Sequence, residues 1–92
     1  MALTVLGHAA AQSDPKAATA AWVDANGDMM KRINRNIWTW AETGLAETRS
    51  SKELQDALRA NGFTVEAGVA GMPTAFVATF GTGKPLIGIL AE

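Results

Sequence analysis

The sequence contains no cysteine and a single histidine, His8, among its 92 residues. Without cysteine the chain has no disulfide framework, no thiolate nucleophile and no cysteine-based zinc site. Catalytic zinc sites commonly use two or three histidines, and a serine nucleophile commonly uses a histidine base. A sequence with a single histidine therefore predicts neither kind of site. We therefore assign no catalytic, cofactor-binding or metal-ligating residue to this chain, and we expect it to bind no cofactor by itself.

Excess charge and long apolar runs are also absent. Eight Lys/Arg residues face nine Asp/Glu residues, for a net charge of -1, so no surplus of positive charge attracts nucleic acid or anionic lipid. No stretch reaches the roughly 18 to 20 apolar residues of a membrane span. What is present is an ordinary globular balance, with 48% hydrophobic and 18% charged residues. We expect one small domain with a modest core, and neither a nucleic-acid nor a membrane partner.

The first residues resemble the end of a secretory leader. A short apolar run between Leu3 and Leu6 precedes the small residues Ala9 to Ala11, which resemble a cleavage site before Gln12, although a basic region is missing. We interpret residues 1–12 as a truncated signal peptide, which would make the mature protein periplasmic or secreted. The alternative is an apolar tail on a cytoplasmic chain.

A long helix is predicted from Pro15 to about Glu42. Asp14 is the candidate N-cap, and Pro15 suits the first helical position, where its missing N–H costs nothing. Apolar residues then recur at steps of three and four, which places them on one helix face: Ala18, Trp22, Ala25, Met29, Ile33, Ile37 and Trp40. Three basic residues lie mostly off this face, and we interpret them as solvated rather than phosphate-binding: Lys31, Arg32 and Arg35.

A second helix is predicted after Gly44, which we expect to end the first one. The stretch Ser50–Glu53 has a capping-box pattern, in which Ser50 and Glu53 satisfy each other's backbone donors. The pair Asn61-Gly62 closes the helix, because both residue types tolerate the left-handed conformation.

Three strands are predicted after Gly62, where the hydrophobic period changes from 3.6 to 2. The first contains Phe63 and Val65, the second runs from Phe76 to Phe80, and the third from Leu86 to Ala91. The third strand has no polar residue, which is typical of a strand buried on both faces at the centre of a sheet covered by helices.

The segment Gly81–Lys84 superficially resembles a phosphate-binding loop. A Walker A loop requires G-x-x-x-x-G-K-[ST], but Ala78 occupies the first glycine position and Pro85 follows the lysine. The segment also joins two predicted strands, whereas a phosphate loop leads into a helix. We interpret its glycines as hairpin residues with positive φ and Lys84 as a solvated side chain.

Taken together, the residues from about 20 to 92 resemble the beginning of the metal-dependent amidohydrolases of the aminobenzoyl-glutamate utilization type, relatives of the aminoacylases and carboxypeptidase G. The ordered set of matching elements carries the resemblance: Glu42, Gly44 and Glu47, then Ser50-Ser51 with Leu54 and Leu58, Gly62-Phe63-x-Val65, Gly71 to Phe76, the glycine turn, and Pro85-x-Ile87-Gly88-Ile89-Leu90.

The resemblance implies a catalytic domain with a mixed sheet between helices, an inserted domain used in homodimerisation, and two divalent metal ions, zinc or similar. In that chemistry a metal-bridged water attacks an amide carbonyl while a glutamate acts as base. In family members the strand matching Leu86 to Ala91 leads into an acidic stretch whose first residue matches Glu92, and the recognisable ligands come later. We therefore transfer no ligand, and we assign capping and surface roles to Glu42 and Glu47.

These observations predict an α/β fold, the N-terminal part of a helix-sheet-helix metallohydrolase catalytic domain: a long helix, a second helix and three strands including a hairpin. Residues 13–92 would form this incomplete domain. The leading hypothesis is an N-terminal fragment of an amidohydrolase that acts on an N-acyl amino acid or peptide-like amide and is inactive alone. The alternative is a stand-alone partner-binding module with three tryptophans as contact residues: Trp22, Trp38 and Trp40.

Overall fold

The computed structural model describes residues 14–91. Along the chain it has helix α1 (Pro15–Trp40), helix α2 (Thr48–Ala60), strand β1 (Thr64–Ala67), a short 3-10 turn (Val69–Gly71) and strand β2 (Phe76–Thr79). The predicted α/β class is confirmed, and the structure has two helices followed by a two-stranded antiparallel sheet. His8, Glu92 and the interpreted leader at residues 1–12 lie outside the described residues.

The chain divides into two units, with the boundary between Lys31 and Arg32. The described part of the first unit is the N-terminal portion of α1, capped as predicted by Asp14, whose Oδ1 accepts a hydrogen bond of 3.0 Å from the backbone N–H of Lys16. Side chains here are mostly exposed, and Trp22 retains 46% of its accessible surface. This portion of α1 therefore presents most of its side chains to solvent.

The end of α1, in the second unit, differs from the prediction. The helix stops at Trp40, and Ala41 takes the left-handed conformation with φ 46°, so Gly44 is not the residue that ends it. The early exit has a physical reason, because the side chain of Glu42 binds the first turn of α2 and the chain must leave α1 before that residue.

The start of α2 also differs, since the helix begins at Thr48 and Ser50 lies within its first turn. The capping-box prediction is wrong: Ser50 bonds to Glu42, and the Oε1 of Glu53 accepts a 3.0 Å hydrogen bond from Nδ2 of Asn36 on α1. The predicted end is confirmed. Asn61 is the C-cap, Gly62 has φ 86°, and the N–H of Phe63 reaches back to the carbonyl of Leu58.

Strands β1 and β2 form an antiparallel pair in which Thr64 lies opposite Thr79 and Ala67 opposite Phe76. Helix α2 contacts both strands. At the end of the pair, the rings of Phe63 and Phe80 approach with centroids 5.2 Å apart. Among residues 14–91, no hydrophobic side chain is buried, and the buried residues are Ser50 and Ser51.

The prediction of a third strand is wrong, because Leu86–Ala91 has no strand conformation in the structure. A strand that is apolar on both faces is stable only with neighbours on its faces and edges, and within residues 14–91 nothing pairs with this segment. Gly81 and Gly83 do have the predicted positive φ, at 74° and 101°, but they do not form the turn of a hairpin.

Candidate functional site

The most organised group of polar side chains surrounds the first turn of α2. Five residues form what we call the polar cluster: Glu42, Glu47, Ser50, Ser51 and Thr74. They come from the link after α1, from α2 itself and from the loop before β2. The cluster contains both of the buried residues noted above, with Ser50 8% and Ser51 7% exposed.

Glu42 caps α2 from outside the helix. Its Oε1 accepts a hydrogen bond from the N–H of Arg49 (3.0 Å), and its Oε2 accepts from the N–H and the hydroxyl of Ser50 (both 2.8 Å). These are first-turn N–H groups without partners inside the helix. Glu47 stands at the N-cap position but makes no capping bond with its side chain. The capping role assigned to Glu42 is therefore confirmed, although the helix it caps is α2.

The ionised form of Glu42 is favoured by this geometry. Partial desolvation raises the pKa of Glu42, but the hydrogen bonds from Arg49 and Ser50 and the Arg49 charge together outweigh it. The net pKa of this carboxyl lies below its ordinary value. Both carboxylate oxygens are engaged with donors, so Glu42 is suited to hold a helix start rather than a metal ion.

The other half of the polar cluster joins α2 to the loop before β2. The hydroxyl of Ser51 donates to the carbonyl of Thr74 (2.7 Å) and accepts from Nε2 of Gln55 (2.9 Å). The hydroxyl of Thr74 donates to Oε2 of Glu47 (2.8 Å). Hydrogen bonds from its own backbone N–H and from Thr74 hold the pKa of Glu47 below its ordinary value, against partial desolvation and the nearby charge of Glu42.

An open cleft of about 300 Å³ lies beside the polar cluster. Its lining includes Thr48, Ser51, Lys52, Gln55, Pro73 and Thr74. The hydroxyl of Ser51 is already hydrogen-bonded as donor and acceptor, and no histidine lies in residues 14–91 to act as its base. The Ser51 hydroxyl therefore serves to join α2 to the loop before β2.

A di-metal site does not fit the described residues. Within residues 14–91, no group of three or more His, Cys, Asp or Glu side chains is arranged to hold a metal ion. We derive no catalytic step through a metal from this part of the chain. The sequence prediction that assigned no metal ligand to this chain stays a prediction.

The remaining sequence assignments can be placed on the structure. Lys84 is exposed, as predicted. The three basic residues of α1 are exposed as well, which confirms their interpretation as solvated: Lys31, Arg32 and Arg35. Trp38 is 70% exposed, whereas Trp40 is half-buried. Across the part of the chain that is described, no helix combines the length and apolarity needed to cross a membrane.

Comparison with known proteins gives a curated relative that is 40% identical over 70 residues. It is one of the subunits of the p-aminobenzoyl-glutamate hydrolase of Escherichia coli (strain K12). The match covers 76% of this chain, and the chain spans only 15% of the length of that hydrolase subunit. No family model and no solved structure matches the chain. The predicted resemblance to amidohydrolases of the aminobenzoyl-glutamate type is confirmed by this similarity.

Proposed function

We propose that residues 13–92 form the N-terminal portion of the α/β catalytic domain of a di-metal amidohydrolase. The whole enzyme would cleave an amide bond in an N-acyl amino acid or a peptide-like substrate, and this 92-residue chain would be inactive alone. The observation that carries the proposal is the 40% identity over 70 residues to a p-aminobenzoyl-glutamate hydrolase subunit. Identity at that level over most of the chain favours a shared structural role.

The structural roles of the polar side chains support the proposed inactivity of this chain. The polar cluster has its hydroxyls and carboxylates engaged in holding α2 and the loop before β2 together. In this proposal the two metal ions, zinc or similar, and the general base belong to residues outside the matched segment. The matched segment would supply the helices and strands against which the site is built, within a homodimer.

A stand-alone partner-binding module is the second candidate. The observation that favours it is the exposure of two tryptophans on α1, since Trp22 is 46% and Trp38 is 70% exposed. Tryptophan is enriched at protein interfaces because it combines a large apolar area with a polar N–H. This function would require the isolated chain to unfold cooperatively and to expose little apolar surface to a dye.

A chimera separates the two candidates. The segment of the E. coli hydrolase subunit that matches this chain is replaced by residues 20–92 of this chain, over which the sequence resemblance extends, and hydrolysis of p-aminobenzoyl-glutamate is measured with and without a chelator. We expect chelator-sensitive hydrolysis by the chimera and none by the isolated chain. The relative is named as a subunit. The chimera and the isolated chain are therefore expressed in the same E. coli strain, so that any partner subunit is equally present for both.

The control for this experiment is a chimera in which the inserted segment carries Leu86→Glu and Ile89→Glu. It should lose activity, because an acidic side chain cannot be buried in the apolar interior that the proposal requires. A folded but inactive unmodified chimera would contradict the amidohydrolase role, and hydrolysis by the isolated chain would contradict its inactivity.

A further inference from the structure

The chain contains two Asn-Gly pairs in different backbone settings. Asn26-Gly27 lies inside α1, and Asn61-Gly62 lies at the end of α2. In this dipeptide the backbone nitrogen of the glycine can attack the side-chain amide of the asparagine, because no Cβ on the glycine obstructs the approach. The same reactive sequence can therefore be compared at two positions of one molecule.

The hydrogen bonds of the two asparagine side chains are nearly the same. Nδ2 of Asn26 donates to the carbonyl of Trp22 at 2.8 Å, and Nδ2 of Asn61 donates to the carbonyl of Ala57 at 2.8 Å. Each bond spans one helical turn. Any difference in reactivity must therefore come from the backbone that follows and from exposure.

The backbone separates the two pairs clearly. Asn26 and Gly27 are half-buried and lie in the interior of a 26-residue helix. Asn61 is exposed at the C-cap of α2, with φ -99° and ψ 18°, and Gly62 has already left the helix with φ 86°. Helix ends open locally at much lower free energy than helix interiors. Opening at Asn61 frees the N–H of Gly62 from its 3.1 Å bond to the carbonyl of Arg59.

We propose that Asn61 is a site of spontaneous deamidation, whereas Asn26 is protected. The backbone nitrogen of Gly62 loses its proton and attacks Cγ of Asn61, so that an N–Cγ bond forms, the Cγ–Nδ2 bond breaks and ammonia leaves with the proton. Water then opens the five-membered imide on either side of its nitrogen. The products are an aspartate or an isoaspartate at position 61, and no oxidant or reductant is required.

This modification acts at the corner between α2 and β1. It adds a negative charge at the C-terminus of a helix, where the helix dipole disfavours it. The isoaspartate also adds a methylene group to the main chain, beside the bond from the N–H of Phe63 to the carbonyl of Leu58. The ring of Phe80 lies close to Gly62, 3.5 Å from where a Cβ would stand. We expect the modified chain to hold β1 less firmly against α2.

The experiment is incubation of the purified 92-residue chain in mildly alkaline buffer, followed by peptide mapping with mass spectrometry at both asparagines. The helix content is checked in parallel by circular dichroism, and the same incubation is repeated in concentrated urea. We expect position 61 to react at least about tenfold faster than position 26 in buffer, because only the helix end opens readily. In urea the two positions should react at similar rates.

Two matched variants test the assignment, Asn61→Gln and Asn26→Gln. Glutamine would have to form a six-membered ring and reacts much more slowly, so Asn61→Gln should abolish most of the product and Asn26→Gln should leave it unchanged. Equal rates at the two positions in buffer would overturn the proposal. It would equally fail if neither position reacted in buffer while both reacted in urea, since the C-cap would then be protective.

Discussion

The polar cluster at the start of α2 and the apolar segment Leu86–Leu90 form opposite environments within one unit of the chain. In the polar cluster, two serines are more than nine-tenths buried. In the apolar segment, the leucines and isoleucines are 79% to 97% exposed. Two polar side chains of this unit are thus buried, while the large apolar side chains of the segment are in water.

The difference shows which kinds of interaction this chain satisfies by itself. Each hydrogen bond between members of the polar cluster needs one partner, which lies 8 to 27 residues away along the chain. The apolar segment needs surfaces on several sides to be buried, and residues 14–91 do not place any against it. Four changes test this comparison.

The largest effect is expected from Leu86→Glu combined with Ile89→Glu. These side chains are 87% and 90% exposed, and exposed apolar patches drive association. We expect the solubility of the isolated chain to rise on the order of tenfold and the fluorescence of a hydrophobic dye to fall. Circular dichroism should show unchanged helix content.

The control for that change is Ala20→Glu with Ala21→Glu on the exposed part of α1. This variant adds the same charge but removes no large apolar side chain. An equal gain in solubility would show that the added charge alone causes the effect. The exposed side chains of the apolar segment would then not be the reason for the low solubility.

A smaller but clear loss of stability is expected for Ser51→Ala. The change removes the 2.7 Å bond to the carbonyl of Thr74 and the bond from Gln55. A part-buried carbonyl left without its donor costs about 1 to 2 kcal/mol in the free energy of unfolding, measured by urea denaturation.

Thr39→Ala is the matched control, because the Thr39 hydroxyl also donates to a carbonyl at 2.7 Å, but at an exposed position of α1. Its effect should stay within about 0.5 kcal/mol, as at most surface positions. Equal losses in the two variants would show that burial does not strengthen the polar cluster.

The third change concerns pH. Both carboxyls of the polar cluster, Glu42 and Glu47, have pKa values below the ordinary glutamate value in the folded chain. Their stabilisation is therefore fully present above the unfolded pKa of about 4.3, and it is lost as the pH falls through the lower folded pKa. We expect Tm to fall over that acidic range and Glu42→Gln to flatten the decline.

The exposed Glu66 of β1 supplies the comparison for this pH effect. Glu66→Gln should leave the acidic decline of Tm close to that of the unmodified chain. If both variants flatten the decline equally, the pH dependence belongs to the general charge balance and not to the polar cluster.

Local signals in the sequence predicted much of the fold. The Asp14 cap, the closing pair Asn61-Gly62 and the alternation in the first two strands depend on residues that are neighbours in the chain, and the structure confirms each of them. The third strand depended on partners elsewhere, and a continuous apolar run does not reveal whether those partners are present.

The sequence predicted only part of the polar cluster. Glu42 was assigned a capping role, but the eight-residue step to Ser50 is not a recognised capping pattern, and the Ser50–Glu53 pattern pointed to a different bond. The bond from Ser51 to Thr74 joins residues 23 positions apart, and no local pattern encodes such a contact. The path of the loops before α2 and before β2 determines which residues form these two hydrogen bonds.

The smallest effect is expected from Lys52→Met, one residue beyond the buried serines on the same helix. Lys52 forms an ion pair with Asp56, and the two side chains are 73% and 51% exposed. The hydrogen bond from Lys52 is the main reason that the pKa of Asp56 lies below its ordinary value. Water and salt nevertheless screen exposed pairs, and methionine forms helices about as well as lysine. The urea midpoint should therefore be unchanged, at low salt and at high salt. A loss as large as that of Ser51→Ala would mean that exposed polar contacts on α2 stabilise the chain as much as buried ones do.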